Sequence, residues 1–313
     1  MANPFERELT TKDDIPLSSL MADAYAELEL FNEAERPFRQ MLAQDVNERT
    51  FRVHVGDMTW EELAEGEHAR TGALSSTQMA FSVKKFGRSL GWTQEFVEDN
   101  SSDMVLRQVR KLLEGALNKE HEVIFDTLKN GVADGSQLWF DPEPFGAYTF
   151  SNTHDHTFAD SQELFGDANA HSMTAHIREA NKELRHHGKT PTVALMSSDL
   201  AANFVDELAY EANYLIPEAE GMVSGSVENT LPPVDGVRIY QTAWLTGDQF
   251  YVIAGNEMPI YFHTARPVQF TQGSEGGPVG DPAAMIGAYG SARYGTVMAD
   301  PLAAVDVTVD NIA

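Results

Sequence analysis

An α+β fold is predicted by three features of the sequence. Apolar residues recur three and four apart over 15–34, 103–129 and 198–212, the spacing that lines one face of an α-helix. Short segments at 51–55 and 79–83 alternate apolar and polar residues with the two-residue period of a strand. Beyond residue 236, strand candidates that read as antiparallel dominate the chain. The 313 residues, 42% hydrophobic and 10% aromatic, suffice for one large domain or two modest ones.

The first element reads as an amphipathic arm. Leu17, Leu20, Met21, Ala24, Leu28 and Phe31 share a helical face before Arg36-Pro37 interrupts it. An isolated helix of this length is marginal in water, so its apolar face is expected on another surface, of this chain or of a neighbouring copy. Phe51, Val53 and Val55 then face one way, with Arg52 and His54 opposite, and Met79, Phe81 and Val83 repeat the pattern. These read as the two arms of a hairpin joined by a long loop, 56–76, that holds Trp60 and the run AEGEHARTG. A lone two-stranded ribbon is marginal and exposes its edges, so it requires support from outside itself.

Ser101 or Ser102 caps a helix over 103–129 that stops at Asn130-Gly131, a good left-handed terminator. Leu106, Val109, Leu113, Leu117, Ile124 and Leu128 form its apolar row, and at 1.5 Å per residue it is a rod of about 40 Å. Gly115 inside it costs ~1 kcal/mol relative to Ala, a mark of close packing or of simple tolerance. A loop-rich stretch over 132–167 contains Trp139, Asp141-Pro142 and Glu143-Pro144. Next come a helix over 170–187 ended by Gly188, a strand over 192–196, and a helix capped by Ser197 or Ser198 that runs through Ala212. A Pro- and Gly-rich link, 217–236, leads to strands at 237–240, 250–254, 259–263, 268–271, 285–294 and 305–309, with a Gly-Pro loop at 273–282.

Composition removes whole classes of chemistry. Cysteine is absent, which excludes disulfides, thiolate nucleophiles and cysteine-ligated zinc or iron–sulfur sites. Asp and Glu number 48 against 22 Lys and Arg, a formal charge of -26. Such a surplus opposes a direct grip on phosphates, which needs cations to displace counterions. It also points to a salt-loving host, because carboxylate repulsion is relieved when the Debye length shrinks from ~10 Å at 0.1 M to ~3 Å at 1 M salt. No run of eighteen apolar residues occurs and the start, MANPFERELTTKDD, lacks a signal-peptide layout, so a soluble cytoplasmic product is expected.

Enzyme signatures are missing: no phosphate-cradling Gly-rich Lys motif, GxSxG elbow, HExxH pair or GxGxxG. The suggestive constellation is histidine, with His154, Asp155 and His156 in a loop and His171, His176, His186 and His187 on or near the next helix. Imidazoles with carboxylates are ligands zinc or nickel would choose. No pair has the i, i+3 or i, i+4 spacing that helical ligands prefer, so a polar solvated face is the expectation. Glu61, Glu62, Glu65 and Glu67 read as a solvated loop face, since nothing adjacent in sequence raises a pKa or supplies a nucleophile. Lys84-Lys85 read either as partners for another subunit's acids or as an exposed strand of the hairpin. Trp60, Trp92, Trp139 and Trp244 read as core or interface anchors. No catalytic, cofactor-binding or metal-ligating residues are predicted, and no cofactor.

The order of parts is an arm, a long hairpin ending in FGRSLGWTQEFVEDN, an amphipathic rod of about 27 residues, a mixed domain and late strands. This order resembles the major capsid proteins of tailed double-stranded DNA viruses, the Hong Kong 97-like fold, over nearly the whole chain. The stretches that carry the resemblance are AEGEHARTG with the strand after it, residues 92–103 leading into the rod, and the closing AYGSARYGTVMADPLAAVDV, in which Arg293-Tyr294-Gly295 precedes one strand and 301–305 another. The resemblance implies an N-terminal arm at 1–46, an E-loop hairpin at 47–98, a P-domain at 99–135 and 257–295 with its spine helix at 103–129, and an A-domain at 136–256. The strands of 296–313 can return to that last domain.

What the resemblance implies for function is assembly, not catalysis: hexamers and pentamers of an icosahedral shell around viral DNA, made in the host cytoplasm. Portal, scaffolding and decoration proteins are the implied partners, and with the acidity a haloarchaeal tailed virus is the implied source. No coiled-coil extension precedes the arm, so scaffolding is expected from a separate protein. Some relatives join an E-loop Lys to a neighbour's Asn; residues 56–76 hold no Lys, so no covalent crosslink is expected. Two alternatives stay open, an encapsulin-like compartment shell and, on the histidines alone, a metal-dependent hydrolase.

Overall fold

The computed structural model of the chain describes residues 10–34, 36–55, 75–212, 230–275 and 285–310. Its elements are, in order, α1 (Leu17–Glu33), α2 (Pro37–Leu42), β1 (Ala43–Asp45), β2 (Thr50–Val55), β3 (Ser75–Ala80), β4 (Lys84–Trp92), α3 (Gln94–Asp99) and α4 (Ser102–Gly131). They continue with β5 (Thr157–Phe158), α5 (Ser161–Phe165), α6 (Met173–His186), β6 (Val193–Met196), α7 (Ser198–Ala212), β7 (Thr230–Val234), β8 (Val237–Gln241), β9 (Gln249–Ile253), β10 (Ile260–Glu275), β11 (Met285–Met298) and β12 (Ala304–Thr308). The chain forms two compact units, one from Met1–Arg36, Ser82–Val123 and His263–Gly295, the other from Pro37–Phe81, Ile124–Phe262 and Thr296–Ala313.

In the first unit, the helical spacing of α1 buries Leu20, Met21, Ala24 and Leu28 against Val105, Val109 and Leu113 of α4, with Trp92, Val97 and Phe270 completing the core. The arm helix therefore finds its apolar partner in its own chain. The first turn of α4 is met by an acceptor from the arm: the Asp13 carboxylate takes hydrogen bonds from the Ser102 N–H at 3.1 Å and the Ser102 hydroxyl at 3.4 Å. An anion there satisfies an orphan donor and complements the helix dipole. An added Cβ at Gly115 meets nothing within 4 Å, so this glycine reflects tolerance, not close packing. β4 pairs antiparallel with β11 from Ile286↔Trp92 to Tyr294↔Lys84.

That pairing corrects the sequence reading of the hairpin. The return strand is Ser75–Ala80, in register Phe51↔Met79, Val53↔Thr77 and Val55↔Ser75, and not 79–83. The alternation misled because Phe81, the next buried residue, sits just past the ribbon, where its N–H still bonds the Arg49 carbonyl at 2.9 Å. Lys84 and Lys85 accordingly belong to β4, not to the hairpin. Most of the joining loop, with Trp60 and Glu61, Glu62, Glu65 and Glu67, lies outside the described residues.

The second unit is built on a six-stranded sheet of order β5-β12-β9-β6-β8-β7. β6–β8 and β12–β5 are parallel, and β12–β9, β6–β9 and β7–β8 antiparallel. Helices α6 and α7 share one core with this sheet: Ile177, Leu184, Leu200 and Phe204 pack with Ala194, Met196, Phe250 and Val252. Both helices begin on a serine cap, α7 on one of the two serines read from the sequence and α6 on a serine that the sequence reading did not single out. Ser172 Oγ accepts from the Ala175 N–H and Ser197 Oγ from the Leu200 N–H, each at 3.2 Å. Gly188, at φ 71°, ends α6.

Other differences have local causes. The end of the link read at 217–236 is the strand β7, whose Pro232-Pro233 disguises it; prolines are tolerated there because β7 is the sheet's edge. Asp235 and Gly236, at φ 50° and 86°, turn β7 directly into β8 as a two-residue hairpin. Segments 259–263 and 268–271 are one strand, β10. The short β1, unreadable from three residues, lies parallel on Ile260–Phe262.

Candidate functional site

Two features stand out once the cores are accounted for. The first is the β2–β3 ribbon. It is a sheet of its own, and among the described residues it pairs with no third strand. A two-stranded ribbon leaves one row of backbone donors and acceptors on each strand without a ladder partner, an arrangement that calls for support from outside the ribbon.

The second is a cluster of histidines in the second unit. His154 and His156 come from the loop before β5, where the His156 N–H bonds the Ala133 carbonyl at 2.7 Å and the Asp306 N–H bonds the His156 carbonyl at 2.9 Å. His187 comes from the C-cap of α6. Their rings form a nearly equilateral triangle, with centroids 5.0 Å apart for His154–His156 and 4.8 Å for each of the other two pairs. One ring nitrogen of each lies within 4.8 Å of the other two. Phe150 stacks on His187 at 3.8 Å and leans on His154 at 5.1 Å.

Burial keeps these imidazoles neutral. It pushes His156 down to about 4, against the Ala304 carbonyl bonded to its Nδ1, which opposes the shift. It pushes His187 down to about 3, helped by His156 and His154 alongside. His154 is lowered by burial too, although Glu183 and Asp155 pull the other way.

The remaining histidines go elsewhere. His171 bonds Asp167 at 2.9 Å and stacks on Phe165 at 3.7 Å; buried His176 has Nδ1 2.9 Å from the Ser172 carbonyl; His186 stacks on Tyr148 and lies 3.5 Å from Glu183. Trp92 is a core anchor whose Nε1 donates to Gln108 at 2.8 Å. Trp244 lies parallel to Phe125 at 6.1 Å and Trp139 edge-on to Phe140 at 4.9 Å. Sequence spacing separated the loop histidines from His187 by some thirty positions, so no motif could join them; only the pairing of β12 with β5 and β9 brings that loop to the end of α6. Among the described residues no helix is long and apolar enough to cross a membrane.

A family model described as "Phage capsid protein" matches residues 76–307, about three quarters of the chain. The chain belongs to the phage capsid protein family. No curated protein sequence matches it. The structure of this capsid protein is similar to that of a chain from Mycobacterium phage Patience at 16% identity and TM-score 0.63, covering 98% of this chain and 92% of that one. It is also similar to a chain from Gordonia phage Cozz, at 12% identity and TM-score 0.57 over 88% and 87%. A third likeness is to the mature capsid of bacteriophage PhiM1, at 14% identity and TM-score 0.53 over 90% and 89%. The fold is thus the α+β, Hong Kong 97-like one, and the protein is a structural major capsid protein.

Proposed function

We propose that copies of this protein associate as hexamers and pentamers and close an icosahedral shell around double-stranded DNA in the host cytoplasm, with portal, scaffolding and decoration proteins as separate partners. The observation that carries this reading is the β2–β3 ribbon, which among the described residues stays a two-stranded sheet and which a neighbouring subunit can support. In the same reading residues 1–46 are the arm, 47–98 the E-loop, 99–135 with 257–295 the P-domain around the spine helix α4, and 136–256 the A-domain. The net charge of -26 supports a haloarchaeal tailed virus as the source and a shell that encloses DNA without gripping it.

The test is electron microscopy of the protein expressed in a high-salt host, alongside a variant in which residues 50–80 are replaced by a short Gly-Ser linker. The parent is expected to give closed shells and the variant soluble subunits or capsomers. Closed shells from the ribbonless variant, or no shells and no capsomers from the parent, overturn the proposal. Shells holding enzyme cargo in place of DNA would mark a compartment protein instead.

A further inference from the structure

We propose that His154, His156 and His187 bind one zinc ion that ties the loop before β5 to the end of α6. The three side chains meet from two separate elements, and each has its Nε2 buried without a hydrogen-bond partner. His156 is fully buried. Leaving three polar atoms unsatisfied in one place costs free energy at each of them, and a single cation with three open valences satisfies all of them together.

The geometry suits a tetrahedral ion. With zinc–nitrogen bonds of 2.0–2.1 Å, three imidazoles on one zinc place their ring centroids roughly 5 Å apart and their nitrogens about 3.4 Å apart. The observed centroid separations are 4.8–5.0 Å, and one ring nitrogen of each histidine already lies within 4.8 Å of the other two. His156 Nδ1 lies 3.0 Å from the Ala304 carbonyl, which fixes that nitrogen as the donor and leaves the Nε2 lone pair for a ligand. A bonded carbonyl behind a histidine is the usual support of a metal ligand, and stacked Phe150 holds the other two rings. Three neutral nitrogens with no sulfur suit a borderline divalent ion and not calcium or magnesium, which take oxygen ligands.

The ion acts as a strut and needs no shell around it, so the inference stands apart from assembly. It is tested on untagged, full-length protein stripped with chelator and titrated with zinc chloride, read by metal analysis, calorimetry and thermal melting. One zinc per chain is expected, with a melting temperature that rises with zinc. Cobalt in its place should give the intense visible absorption of a tetrahedral site. His154→Ala and His187→Ala, at the two half-buried positions, should each weaken zinc binding at least 100-fold and abolish the zinc-dependent shift, whereas His171→Ala should change neither. Absence of stoichiometric zinc binding in the parent overturns the proposal. So does equal binding by parent, His154→Ala and His187→Ala.

Discussion

Asp306 and Tyr251 face each other across β12 and β9 as register partners, and their side chains meet where both are buried. The Tyr251 hydroxyl donates to Asp306 Oδ2 at 2.8 Å, and Gln249 Nε2 donates to both carboxylate oxygens at 3.0 Å. Burial still outweighs those donors and holds the Asp306 carboxyl above its ordinary value. Between the unfolded and the raised folded pKa the folded chain binds more protons, so Asp306 weakens the fold as pH rises through that window. Tyr251→Phe removes one donor from the carboxylate and should cost about 1–3 kcal/mol at pH 7. Protonation relieves the charge, so urea denaturation should show the deficit narrowing toward pH 4; an equal deficit at both values would show that Asp306 is not the group responsible. This pair was invisible in the sequence. An Asp between two valines in a strand reads as its solvent-facing residue, and only the register with β9 turns it inward. The histidine triangle was half visible, as residue types without the packing that gathers three of them and disperses the rest.

Helices were the most legible elements, because a 3.6-residue apolar row and a capping serine are both local: α4, α6 and α7 lie within a few residues of where the periodicity placed them. Strands were less so, since what defines them is the partner. The continuity of β10 across two apparent segments and the departure of β4 from the hairpin both depend on β11. Gly295 in β11 shows how tight that partnership is. A Cβ there would meet the Ser82 carbonyl oxygen at 2.8 Å and the Val83 Cα at 3.2 Å, both backbone atoms with little freedom to yield. Gly295→Ala should therefore lower stability by roughly 1–3 kcal/mol, the usual scale of overpacking. Chemical denaturation of the unassembled subunit measures it, and a neutral result would mean that the 81–83 segment moves aside without cost.

At the scale of the whole molecule the deciding quantity is charge. The cations of the described residues are heavily engaged: Arg107 with Asp103, Arg110 with Glu27, Lys119 with Glu122, Lys182 with Glu179, and Lys189 with both Glu257 and Asp300. With 48 acids against 22 bases, pairing still leaves 26 carboxylates in surplus, so the net field is repulsive within a subunit and between subunits alike. Most of these groups are exposed, where screening works best, and shortening the Debye length from ~10 Å to below ~3 Å removes most of the repulsion between neighbours. Individual exposed ion pairs weaken in the same salt, but each is worth only ~0–1 kcal/mol, so the relief of the surplus wins. Melting temperature should accordingly rise between 0.1 M and 3 M potassium chloride by roughly 5 °C or more, since about 2–4 °C corresponds to 1 kcal/mol in a protein of this size. Shell closure, which brings acidic faces together, should be steeper in salt than subunit stability, because the repulsion between copies adds to that within each. Thermal melts and light scattering over the same salt series separate the two, and a flat response in both would remove the case for a salt-loving host while leaving the capsid fold untouched.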